Sequence, residues 1–130
     1  MFCNSDPYRQ RMNTLDQGLG TLVKDLAQKN LLDEILVVCA SPFGRFTRPS
    51  EGGFWSHIYS VVLAGGSLRR GKVYGDTGRY GQDGKPPVSV KDLFATIFKA
   101  CGVDGEKEYK TEALRKKTYA SGGKPIEDLF

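Results

Sequence analysis

The sequence predicts an α/β domain built on a parallel or mixed sheet with helices on its faces. Three observations carry that expectation. The stretch Glu34-Ile-Leu-Val-Val-Cys-Ala40 holds an unbroken apolar run too short for a helix, Ile58 to Ala64 repeats the pattern, and an amphipathic helical pattern lies on either side of the pair. Short runs without polar alternation read as strands buried on both faces, and helices flanking such strands cover the sheet.

Taken in order, Leu15, Leu19, Leu22, Val23 and Leu26 fall at helical spacing, Thr14 and Gln17 are placed as a capping box, and Asn30 suits a left-handed stop. The spacing predicts a helix from about residue 14 to 30. Gly18 and Gly20 weaken it by about 1 kcal/mol each relative to alanine, which points to reliance on tertiary contacts. The first strand follows at 34–40, and the second, at 58–64, exits tightly through Gly65-Gly66. Lys72-Val-Tyr74 is a candidate short third strand. Six glycines and prolines between Gly75 and Pro87 make that stretch a loop. Ser89 caps a second helix, with Asp92 three residues on, Leu93, Phe94, Ile97, Phe98 and Cys101 facing the core, and a stop at Gly102. From Asp104 to Lys117 charge dominates, and the stretch is a candidate for a short solvated helix. Residues 1–13 and 118–130 read as extended tails of a single domain spanning 1–130.

Length and composition agree with one domain, since 130 residues with 39% hydrophobic and 26% charged side chains describe an ordinary globular chain. A chain of this size buries roughly two-thirds of its unfolded surface, so folding requires no metal or disulfide. The net charge of +4 is modest and the basic residues are interspersed with acidic ones, which argues against nucleic acid as a partner. Cys3, Cys39 and Cys101 are widely spaced and His57 is the one histidine, so a zinc site is not expected. Cys39 and Cys101 read as small buried hydrophobes and Cys3 as exposed. No secretion signal and no membrane span are read from the chain.

Two firm strands are too few to cover a sheet that is apolar on both faces. The expectation is therefore a chain that belongs to a larger unit, completed by a missing N-terminal half, a partner chain or a second copy.

Leu15-Asp-Gln, Leu31-Leu-Asp-Glu, Phe43-Gly-Arg45, Tyr59 to Gly66, Gly71-Lys-Val-Tyr-Gly75, Asp92 to Ile97 and Gly122-Gly-Lys-Pro-Ile126 form seven short blocks in a familiar order. From roughly Arg11 to Phe130 the chain resembles the C-terminal third of a bacterial sulfatase-like family, catalogued as domain of unknown function 1501, in the alkaline phosphatase superfamily. The resemblance implies a partial three-layer sandwich in which carboxylates and histidines at strand ends hold metal ions beside a sulfate or phosphate ester. It also implies that those ligands are replaced here. The family carries an acidic residue where this chain has Pro42, and an Asp-His pair where it has Gly53-Phe54; proline, glycine and phenylalanine side chains cannot ligate a metal. His57 stands three residues beyond and does not inherit the lost role. The resemblance further implies that the nucleophile lies in N-terminal segments this sequence does not contain. No catalytic residue, metal or cofactor is therefore assigned.

What remains around the motif is a set of contact and anion candidates. Arg45 follows the first strand, where a guanidinium grips an oxyanion bidentately or pairs with a carboxylate such as Glu51. Arg69 and Arg70, beside Gly65-Gly66 and Gly71, lack the spacing of a phosphate-binding loop and read first as part of a turn. Phe43, Phe46, Phe54 and Trp55 cluster within Ser41–His57, as a filled former site or as an interaction surface, and His57 reads as a structural histidine at its edge. The functional expectation is a catalytically inactive sulfatase-like domain acting as a structural or interaction subunit, with a protein partner or a homo-oligomer. Two alternatives stay open: a metal-dependent sulfate- or phosphate-ester hydrolase subunit completed by another chain, and a small anion- or nucleic-acid-binding module. The compartment is left open.

Overall fold

The computed structural model describes residues 6–45, 54–55, 58–78, 86–111, 116–119 and 121–130. The elements in order are helix α1 (Asp6–Gln28), strands β1 (Leu36–Ala40), β2 (Gly44–Arg45), β3 (Phe54–Trp55) and β4 (Val61–Gly65), helix α2 (Val90–Ala100), strands β5 (Glu108–Thr111) and β6 (Lys116–Tyr119), and a 3-10 turn at Glu127–Leu129. The chain is thus α/β, and it divides into two compact units, Met1–Gly65 with Asp76–Lys85 and Gly66–Gly75 with Pro86–Phe130.

The first unit holds α1 and the β1–β4 region. Helix α1 begins at Asp6, about two turns before the expected start, because an acidic residue in the first turn followed by Pro7 is itself a start signal. Thr14 is consequently interior, and its hydroxyl donates to the Gln10 carbonyl at 3.0 Å instead of capping. The stop lies where the sequence places it: Asn30 has φ 57°, and Leu31 N–H donates to the Leu26 carbonyl at 2.9 Å. Glu34 and Ile35 N–H groups both donate to the Leu31 carbonyl, closing a turn over Leu32, which is 8% exposed.

β1 and β4 pair antiparallel, from Leu36 opposite Gly65 to Ala40 opposite Val61. The expected parallel or mixed sheet is thereby corrected, since every ladder among the described residues is antiparallel and two-stranded. The reason is the connection. A parallel pair needs a crossover, usually helical, whereas here β2 and β3 continue the same two arms as a hairpin. Gly65, at φ 94°, seats the end of the hairpin on the turn after α1. A Cβ there would lie 2.6 Å from the Leu32 carbonyl oxygen and closer still to that of Ile35, so only glycine fits.

The second unit centres on α2. Ser89 and Asp92 form the expected capping box, with Asp92 N–H donating to Ser89 Oγ at 3.1 Å and Ser89 N–H donating to Asp92 Oδ2 at 3.2 Å, and Gly102 stops the helix at φ 71°. The buried face is Ala95 and Thr96, while Leu93, Ile97 and Phe98 are half-buried and Phe94 is exposed. Cys101, expected in the core, is the exposed C-cap. Against this helix lies the C-terminal segment. Lys124 N–H donates to Asp92 Oδ1 at 2.8 Å, Ile126 N–H donates to Thr96 Oγ1 at 2.9 Å, and Lys99 pairs with Glu127 while its ammonium sits 4.5 Å from the Phe130 ring centre.

Two weaker expectations fail. Val73, the middle of the proposed third strand, lies in no strand and is 91% exposed. The stretch read as a candidate solvated helix instead supplies the antiparallel pair β5–β6, Glu108 opposite Tyr119. Tyr109, Thr111, Thr118 and Tyr119 favour strand over helix, and that preference outweighs the charge count.

Candidate functional site

Of the residues singled out around Ser41–His57, Arg45, Phe54 and Trp55 belong to the two arms of the hairpin. Gly44 lies opposite Trp55 and Arg45 opposite Phe54, so the backbones of Gly44-Arg45 and Phe54-Trp55 are brought together as β2 and β3. Phe43 precedes β2 and is exposed. Phe46 and His57 lie outside the described residues. The arms are tied between the two ladders by Ser41 and Ser60: Ser41 N–H donates to the Ser60 carbonyl at 2.9 Å, and Ser60 N–H donates to Ser41 Oγ at 3.0 Å.

Beyond Ser41 the register shifts, and Gly44 N–H donates to the Ile58 carbonyl. Pro42 follows a hydrogen-bonded residue, a position whose N–H would face away from the partner arm, so the proline is accommodated there without loss of a bond between the arms. From the Ser41–Ser60 bridge to the Gly44–Trp55 pair, the returning arm carries two more residues than the outgoing one.

The chemistry of the β1–β4 ladder is uniform. Side chains alternate between faces along a strand, and residues directly opposite each other share a face. One face therefore carries Leu36, Val38 and Ala40 with Val61 and Leu63; the other carries Val37 and Cys39 with Val62 and Ala64. Val38 is 42% exposed and Val62 is 52% exposed, one on each face. Neither face is fully covered. The alternating strand of a sheet with one solvated side would place polar residues where these valines stand. Among the described residues each strand also pairs with only one neighbour, which leaves a row of backbone groups along the outer edge of each. The valines were absent from the sequence-derived candidates, although the run of apolar residues at both parities already carried the signal.

Arg69 and Arg70 are exposed and belong to the second unit, whereas Arg45 belongs to the first. Arg69 N–H donates to the Leu129 carbonyl at 2.8 Å, which makes that segment part of the anchoring of the C-terminal turn.

Within the second unit a groove of about 340 Å³ is lined by Tyr74, Pro87, Val88, Asp92, Lys124 and Pro125, among others. Among its polar groups is the Asp92 carboxylate. The Lys124 backbone N–H, then the Ser89 hydroxyl and the Ser89 backbone N–H, hold its pKa below the ordinary 3.8 by hydrogen-bonding the ionised form. These bonds engage Asp92 in holding the C-terminal segment. Among the described residues, no group of three or more His, Cys, Asp or Glu side chains is placed to hold a metal ion, and no helix is long and apolar enough to cross a membrane.

No curated protein and no solved structure matches the chain. A family model does, over residues 4–130, with the description "Protein of unknown function (DUF1501)". That match covers nearly the whole chain, so the hairpin, its aromatic arms and the clasped second helix are parts of a member of the DUF1501 family.

Proposed function

We propose that this DUF1501 chain is a catalytically inactive domain of sulfatase-like, alkaline phosphatase-like type that works as a structural or interaction subunit. The observation that carries the reading is the β1–β4 hairpin, apolar on both faces with Val38 and Val62 exposed on opposite sides. An isolated two-stranded hairpin is marginal in water, and sheets gain stability from further strands or a packed layer. Exposed apolar surface of this kind marks contact with another body. The chemistry at Pro42 agrees with the lack of catalysis, because the resemblance puts an acidic ligand there and proline has no side-chain donor atom.

Two measurements test the reading. Native mass spectrometry of the purified chain should show a complex. Assays with aryl sulfates and aryl phosphates in the presence of zinc, manganese, magnesium or calcium should show no metal-dependent turnover. Turnover would replace the proposal with the ester-hydrolase alternative.

A further inference from the structure

The earlier start of α1 changes what that helix can do. With the added turns, Tyr8, Met12, Leu15, Leu19, Leu22 and Leu26 follow one another at spacings of four, three, four, three and four residues, which is the heptad rhythm of a coiled-coil seam sustained over the helix Asp6–Gln28. Met12, Leu19 and Leu26 take the a positions, with Tyr8, Leu15 and Leu22 at d. Leu19 and Leu26, toward the C-terminal end, are half-buried by the chain itself. Tyr8, Met12, Leu15 and Leu22 remain exposed, at 40–48%.

We infer that α1 docks against α1 of a second copy of this chain, a conclusion that rests on the contact role proposed above and names its partner. The flanks of the seam are charged in a self-complementary way. Arg11 occupies a g position, Asp16 an e position and Asp25 a g position. In a parallel pair, a g residue faces the e residue five positions further along the other helix, so Arg11 meets the partner's Asp16, twice by symmetry. In an antiparallel pair, g faces g and e faces e, so Arg11 meets the partner's Asp25 but Asp16 meets the partner's Asp16. The parallel direction is therefore the one that places only opposite charges across the seam. Gly18, also at g, has nothing within 4 Å of where a Cβ would project, so the flank between the charged residues is open to a close neighbour. Its cost to the isolated helix, like that of Gly20, is the kind tertiary or quaternary contacts offset.

Sedimentation equilibrium on the full chain tests this. The wild type should be a dimer, and Leu15→Asp with Leu22→Asp should weaken it at least roughly tenfold, because a charge is placed in each of two seam layers. Both leucines are exposed in the single chain, so circular dichroism should show the fold retained. Arg11→Glu should weaken the dimer roughly threefold or more, less so at high salt. Adding Asp16→Arg restores it in the parallel arrangement, and adding Asp25→Arg restores it in the antiparallel one. A monomeric wild type overturns the inference, as does a dimer that survives the double aspartate variant or a charge reversal that neither second substitution rescues. A wild type that is monomeric but bound to a different protein overturns the self-association and leaves the contact role standing. Metal-dependent ester hydrolysis by a monomer overturns both.

Discussion

Lys124 donates its backbone N–H to the carboxylate of Asp92 at 2.8 Å, so the residue that completes the cap of α2 also fastens a segment 32 positions further along the chain. Helix start and C-terminal clasp share one charge. Since hydrogen bonds to the ionised form hold the folded pKa of Asp92 below 3.8, its contribution is present at and above that value and is lost as pH falls below it, through the lowered folded pKa. Asp92→Asn should destabilise the second unit by about 1 kcal/mol at neutral pH. Denaturant titrations at pH 7 and in acid should show the two proteins converging at low pH, and an undiminished gap in acid would refute the assignment.

Thr96 offers a cleaner hydrogen-bond test. It is fully buried, donates to the Asp92 carbonyl at 2.7 Å and accepts from Ile126 N–H at 2.9 Å. Thr96→Val keeps the shape and strands the Ile126 N–H, at a cost of about 1–3 kcal/mol, whereas Thr96→Ser keeps the hydroxyl and should cost less. Equal losses in thermal melts would mean that packing, not the bond, matters at this position.

Glycine to alanine should act with opposite sign at two sites. At Gly123 a Cβ would lie 2.6 Å from the Asp92 backbone nitrogen and still closer to the Lys91 carbonyl, so Gly123→Ala forces the clasp off the helix, at about 1–3 kcal/mol. At Gly20 a Cβ meets nothing within 4 Å, and Gly20→Ala should stabilise α1 by about 0.5–1 kcal/mol. The comparison is read from the unfolding midpoints of the two variants.

The hairpin faces can be separated. Val38→Lys and Val62→Lys alter opposite faces at exposed positions, so each should change the stability of the isolated chain by no more than about 0.5 kcal/mol. Loss of complex formation in one variant identifies the face that is covered, and loss in both means that the hairpin is sandwiched. Native mass spectra that are unchanged for both would remove the hairpin as the contact surface.

Local signals were legible and long-range ones were not. Asn30, the Ser89–Asp92 box, Gly65-Gly66 and Gly102 each declare themselves within a few residues, and each sits where expected. The direction of β1 against β4 did not, because an apolar run looks the same in a parallel sheet and in a hairpin. The bonds Asp92–Lys124, Thr96–Ile126 and Lys99–Glu127 join residues 28 to 32 apart, with no periodicity to announce them. Around the candidate site, the flanking strands β1 and β4 were readable, and the pairing of Arg45 with Phe54 was not. Asp6-Pro7 was a readable start signal that the more prominent Thr14–Gln17 pattern obscured.

The two extra residues on the returning arm of the hairpin set how that arm can change in length. Because side chains alternate with period two, an offset of two leaves every residue beyond it on its original side. Removing two residues there would realign the arms and leave inside and outside as they are. Removing one would put β3 out of phase with β2, so length variation between Trp55 and Ser60 should be tolerated in even steps and rejected in odd ones.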